Sequence, residues 1–240
     1  MVGPACGGGD SNSGDMDERE TVVLLHGLGR TSRSMRPLEQ ALSEAGFEVH
    51  NLDYESREYE IGELATQLHQ QLQACCSPEG GPLHFVTHSM GGILLRTYLQ
   101  SHELPQLARV VMLSPPNRGS ELVDEFGDQP VFRAAIGPAG SQLGTDPESQ
   151  PSQLGPVDFE LGVITGDRSV NPWFSWLIPG DDDGTVSVES ARIAGMKEFL
   201  VVPYSHSFIM RKDLVKRQVV AFLRHGHFEP EGRDENRGAR

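Results

Sequence analysis

Apolar and polar positions follow two alternating rhythms along this chain. The first is a set of short strand-like runs: residues 21–25 (TVVLL), 47–52 (FEVHNL), 83–87 (LHFVT), 109–113 (RVVML), 160–165 (ELGVIT) and 198–203 (EFLVVP). Residues 21–25, rich in β-branched side chains and lacking a polar face, predict a buried strand, and the other runs read as strands beside it. The second rhythm lies between them, where apolar residues return every three or four positions. Leu38, Ala41, Leu42 and Ala45 do so ahead of Gly46, and Ile61, Leu64, Leu68 and Leu72 run on to Cys75 or Cys76. Residues 91–100 have the same character, as do residues 212–224 with Leu214, Val215, Val219 and Phe222. Each predicts an amphipathic helix, with Gly46 as a C-terminal stop. Strand and helix in regular succession predict an α/β domain whose central sheet is mostly parallel, with helices on both faces.

The rhythm breaks over residues 114–157, where Pro, Gly, Ser and Gln dominate and only 122–126 and 131–136 suggest short helical pieces. This stretch is expected to run over the surface. It contains no long helical insertion of the size of a lid domain. Residues 1–20 are rich in Gly, Ser, Asp and Glu and read as a disordered leader, and 227–240 read as a polar tail. The expected organisation is one domain over residues 21–226, in keeping with the length of 240 residues.

Composition narrows the partners. Twenty basic against 34 acidic residues give a formal charge of −14, which repels phosphate backbones and anionic lipid surfaces and argues against nucleic acid. The leader lacks a basic start followed by an apolar stretch, and no apolar run reaches the ~18 residues of a membrane span. The chain therefore reads as soluble and cytoplasmic, with no integral membrane segment. Cys6, Cys75 and Cys76 suit neither a disulfide framework nor a spaced metal site, so no metal is expected. Nothing here bears on oligomeric state.

Candidate chemistry concentrates at the ends of the predicted strands. Thr87-His88-Ser89-Met90-Gly91-Gly92 lies where a strand turns sharply into a helix. A serine on such a turn projects its hydroxyl beyond the sheet, and the Met90 N–H at the helix start can face a developing oxyanion. Thr87 stands where the G-x-S-x-G pattern has glycine, and Ser89 read alone has a lesser alternative as a helix N-cap. His26-Gly27-Leu28-Gly29 follows the first strand, and its Leu28 N–H is a second candidate oxyanion donor, although a plain glycine turn reads the same way. A hydroxyl needs a base, and His206, after the last strand, is the histidine best placed. The imidazole in turn needs an acceptor. Asp183, in Pro179-Gly180-Asp181-Asp182-Asp183-Gly184, is preferred, with Asp167 after the preceding strand as its rival. The chain order Ser, Asp, His is the one this type of triad uses on a doubly wound sheet.

Together these motifs give residues 22–223 a resemblance to the small bacterial α/β-hydrolases of the lipase and esterase kind. His26-Gly27-Leu28-Gly29 is similar to that family's oxyanion loop, 87–92 to its nucleophile elbow, 182–186 to its acid-bearing segment, and Leu113-Ser114-Pro115-Pro116-Asn117-Arg118-Gly119-Ser120 to the segment after the next strand. The resemblance implies an α/β-hydrolase fold and hydrolysis of a small-molecule or lipid ester through an acyl-enzyme, without a cofactor. Thr87 and the absence of a lid favour an esterase over an interfacial lipase. A thioesterase or acyltransferase would use the same triad, and a binding protein could keep the scaffold alone. The aromatic stretch 171–179 (NPWFSWLIP), expected as a loop, offers Trp173 and Trp176 as substrate-binding residues.

Overall fold

The computed structural model describes residues 20–76, 80–170 and 172–230; most of the expected leader and most of the tail lie outside them. Six strands form one sheet: β1 (Thr21–Leu25), β2 (Glu48–Leu52), β3 (Leu83–His88), β4 (Leu107–Leu113), β5 (Glu160–Gly166) and β6 (Glu198–Val202). Their spatial order is β2-β1-β3-β4-β5-β6, and every neighbouring pair is parallel. The helices are α1 (Arg36–Glu44), α2 (Ile61–Cys75), α3 (Met90–Ser101), α4 (Glu121–Phe126), α5 (Pro130–Ser141), α6 (Gln150–Gln153), α7 (Pro172–Leu177) and α8 (Asp213–His225).

The period-two pleat divides the core into two layers. On β1, Val23 and Leu25 join the α2 and α3 side chains, including Ile61, Leu64, Leu68, Ile93 and Leu94. Val22 and Leu24 point the other way and pack with Leu38 and Leu42 of α1 and with Val215, Val219 and Phe222 of α8. Both faces of the central strands are therefore dry, which is why β1 reads as a continuous apolar run, while the edge strand β2 is only partly buried. Order along the sheet also fixes a functional location. The chain leaves β1 toward β2 on one side, while β3 lies on the other, so the carboxyl ends of β1 and β3 flank a topological switch point where loops diverge and a crevice opens.

Four features depart from the sequence-based expectation. The excursion 114–157 is only partly superficial, because Ala139, Leu143, Leu154 and Val157 are buried in the α2–α3 layer. It is pinned by Arg96 of α3, a buried guanidinium that donates to the Asn117 carbonyl and Oδ1 and to the carbonyls of Leu154 and Gly155. Short polar segments lack the helical period that would betray such an anchor. Second, the aromatic stretch after Asn171 is the helix α7, not a loop. Third, the sulfurs of Cys75 and Cys76 are joined to each other at the end of α2, where separate thiols were expected. Fourth, the polar tail begins later than residue 227: Phe228 stacks near Phe222 with ring centroids 5.1 Å apart, and Glu229 N–H donates to Gln218 Oε1 at 2.8 Å.

Candidate active site

Ser89 occupies the one-residue turn between β3 and α3. Its backbone has φ 54° and ψ −125°, a left-handed conformation that side chains rarely adopt. The strain is held by its surroundings: Ser89 N–H donates to the Leu113 carbonyl at 2.8 Å, extending the β3–β4 ladder by one bond. The adjoining glycines are required by close approach. A Cβ on Gly91 would stand 2.7 Å from the Leu25 carbonyl oxygen, and one on Gly27 would stand 2.8 Å from His88 Nδ1 and 3.1 Å from Ser89 Cβ. Thr87, the departure from the glycine pattern, fits because Gly92 lacks a side chain; a Cβ there would come within 3.2 Å of Thr87 Oγ1.

The Ser89 side chain makes no capping bond to α3. Its Oγ instead lies 3.0 Å from His206 Nε2. On the other side of the ring, Nδ1 is 2.8 Å from Asp183 Oδ2. Asp183 is buried, and its second oxygen accepts the N–H groups of Thr185 at 3.1 Å and Val186 at 2.9 Å. His206 N–H donates to the Asp183 carbonyl at 3.0 Å, so backbone and side chain both lock the two loops together. Gly166, at the end of β5, leaves room for this meeting, since a Cβ there would fall 3.0 Å from Asp183 Cβ and inside contact distance of the Tyr204 carbonyl. Asp167 follows Gly166, but its carboxylate faces Arg168 Nε at 3.5 Å. The geometry thus brings Ser89, His206 and Asp183 into one hydrogen-bonded line and leaves Asp167 outside it.

The acid loop is held from below by the segment after β4. Asn117 Nδ2 donates to the Ala191 carbonyl at 2.9 Å, Arg118 N–H to the Ser190 carbonyl at 3.0 Å, and Ser190 Oγ to the Gly119 carbonyl. On the outer side, Asp182 Oδ1 accepts Gly184 N–H at 2.6 Å and the Ser175 hydroxyl at 3.0 Å, which ties α7 to the acid loop. Trp173 and Trp176 ride on that helix, 81% and 83% exposed. They stand on the protein surface beside the acid loop and are not folded around a closed pocket.

Two supports were not foreseen from the sequence. His88, buried next to Ser89, has its Nε2 3.0 Å from the His206 carbonyl oxygen, which makes Nε2 the protonated nitrogen and a donor. Burial, followed by the nearby His206, drives its pKa well below the usual histidine value, so the ring stays neutral. The second support braces His26-Gly27-Leu28-Gly29. His26 lies flat on Tyr54, with ring centroids 4.0 Å apart, and Tyr54 OH donates to the His26 carbonyl. Ser56 Oγ accepts Gly29 N–H at 2.9 Å. Burial lowers the pKa of His26 and raises that of Tyr54, keeping both uncharged. The available signal was position: residues 53–56 follow β2, the strand beside β1, at the same end of the sheet.

One group of side chains has ligand-like spacing among the described residues: donor atoms of His50, Cys75 and Cys76 lie within 4.8 Å of one another. The bond between the two sulfurs occupies both thiols, and His50 Nε2 sits 3.2 Å from Glu48 Oε1. No described helix is long and apolar enough to cross a membrane.

Comparison with known proteins agrees with this architecture. Solved structures superpose over most of the chain. The mature form of the lipase BlEst2 from Bacillus licheniformis gives a TM-score of 0.71 at 16% identity, covering 88% of this chain and 93% of the lipase. The metagenomic carboxyl esterase MGS0156 gives 0.63 at 19% identity, over 81% of this chain and 66% of the esterase. YbtT, a type II thioesterase of yersiniabactin biosynthesis, gives 0.56 at 17% identity, over 88% and 94%. At such identities the likeness is one of fold. Curated protein sequences give no match. The sequence pattern of the alpha/beta hydrolase family, however, matches residues 22–232. A match across nearly the whole described domain means that this chain belongs to the alpha/beta hydrolase family.

Proposed function

We propose that the protein is a serine hydrolase of carboxylic esters. The observation that carries this reading is the continuous line from Ser89 Oγ through His206 to Asp183, at 3.0 Å and 2.8 Å, on a strained elbow at the switch point of the sheet. In this reading His206 Nε2 takes the Ser89 proton as Oγ attacks the ester carbonyl, and returns it to the departing alcohol. Asp183 holds the ring with Nδ1–H toward its carboxylate and stabilises the imidazolium, while its other oxygen accepts two backbone N–H bonds. The N–H groups of Leu28 and Met90 receive the oxyanion, a contribution worth about 3 kcal/mol for each donor. Water then repeats the sequence on the acyl-enzyme, with no cofactor taking part. A small-molecule or lipid ester is the substrate, and Trp173 and Trp176 meet its acyl chain.

The same atoms would serve a thioesterase or acyltransferase. A formal charge of −14 weighs against a polyanionic coenzyme A carrier at the mouth of the site. Labelling with a fluorophosphonate tests the serine directly. Modification of Ser89, absent in Ser89→Ala, is the expected result; an unlabelled wild-type protein would count against a catalytic serine and favour a binding protein on this scaffold.

A further inference from the structure

A cavity of about 420 Å³ opens beside the Leu28 loop. Its wall is made by Gly29, Arg30 and Thr31 after β1, by residues 53–58 after β2, and by Gln67 and Gln71 of α2. No aliphatic side chain lines it, which sets it apart from the mostly apolar pockets that hold hydrocarbon ligands. It also lies beside the loop that packs against Ser89. A Cβ on Gly27 would lie 3.1 Å from Ser89 Cβ, and Gly29 at the cavity rim is two residues on, at most ~7.6 Å between Cα atoms. Arg30 Nη2 donates at 2.8 Å to Ser207 Oγ, joining the rim to the residue after His206.

The charges on the wall discriminate among polar ligands. Arg30 and Arg57 offer guanidinium donors, while Asp53, Glu55 and Glu58 offer carboxylate acceptors. A phosphate would meet three carboxylates, and a quaternary ammonium would meet two guanidinium groups. A neutral polyhydroxylated group can donate to the carboxylates and accept from the guanidinium and amide groups at once. Part of this wall is already fixed from behind: Asp53 is engaged by Ser32 and His26, and its carbonyl accepts Gln71 Nε2. Asp53 is thereby held in place, and Arg57, Glu55 and Gln67 line the remaining space.

We propose that this cavity binds the alcohol portion of the substrate, and that this portion is a neutral polyol such as glycerol or a sugar. The inference rests on the ester-hydrolase reading above. It assigns the two ends of the ester to opposite sides of Ser89, with the polyol in the cavity after β1 and β2 and the acyl chain toward the exposed aromatic helix α7.

The test compares kcat/KM for 1-octanoylglycerol and propyl octanoate, which share an acyl group and differ only in hydroxyls. Wild type is expected to favour the glycerol ester by at least about tenfold. Arg57→Ala and Gln67→Ala should each lower that ratio several-fold through a higher KM for the glycerol ester, with thermal melting used to confirm that both variants are folded. A wild-type ratio near one, or a ratio unchanged in both variants, would overturn the polyol assignment while leaving the hydrolase reading intact. Hydrolysis of neither ester would remove the hydrolase reading, and this inference with it.

Discussion

Ser89 carries a backbone conformation that costs on the order of 1–3 kcal/mol and persists only because its neighbours over-determine it. Gly91 is one of those neighbours, with the carbonyls of Leu25 and His26 where its side chain would be. Gly91→Ala is accordingly expected to lower stability by about 2 kcal/mol or more, read from urea unfolding, and to reduce turnover by displacing the elbow. The acid makes a sharper prediction. Asp183→Asn should cut kcat by roughly 10⁴, because an amide favours the wrong imidazole tautomer, whereas Asp167→Asn should change it only a few-fold. The reverse ranking would require another arrangement of the site. At this scale Ser89 and His206 were legible from the strand-to-helix turn and the chain order. Sequence alone leaves Asp167 as a rival of Asp183, because one directly follows a strand, the other sits beside Gly184 in a turn, and both carry the same group. What separates them is three-dimensional: Gly166 lets the Asp183 loop close on His206, while Asp167 turns to Arg168. His88 was invisible because its function depends on a carbonyl 118 residues away.

Among the elements, the strands and the long helices α1, α2, α3 and α8 follow directly from hydrophobic period, and their bounds differ from expectation by only a few residues. The short helices are different. α7 has six residues, too few for a recognisable period, and is fixed by the Ser175–Asp182 bond to the acid loop. Its two tryptophans expose large apolar surface beside the Asp183 loop, the surface proposed above to meet the acyl chain. Trp173→Ser together with Trp176→Ser is expected to lower kcat/KM for a long-chain ester by about tenfold relative to a short-chain one, in line with the apolar area withdrawn from water. An unchanged chain-length profile would detach α7 from substrate binding. The excursion 114–157 was read as surface because it is polar and broken by Pro and Gly. Arg96 makes the difference, supplying donors to carbonyls that would otherwise be buried unsatisfied.

For the molecule as a whole, pH acts through histidines buried without charge. His26, His84 and His88 all have lowered pKa values, caused first by burial, and His84 falls to about 4. Below pH 6.5 the unfolded chain binds protons that these folded sites refuse, so stability falls with pH in that window. His84 alone accounts for about 3 kcal/mol between pH 6.5 and 4. Urea midpoints should drop steeply over that range, and His84→Phe should flatten the slope; a flat wild-type profile would mean that these rings admit protons when folded. The parallel doubly wound architecture is legible in the alternation of strand-like and helical segments and in the apolar runs of the central strands, whereas the edge strand β2, with Glu48, His50 and Asn51, is only partly buried. The central claim concerns chemistry, and its most direct test is hydrolysis of p-nitrophenyl esters of increasing chain length by wild type and by Ser89→Ala. The account predicts wild-type turnover that the variant loses by at least about 10³-fold. Equal turnover by the two proteins, or none by the wild type on any ester, would contradict it.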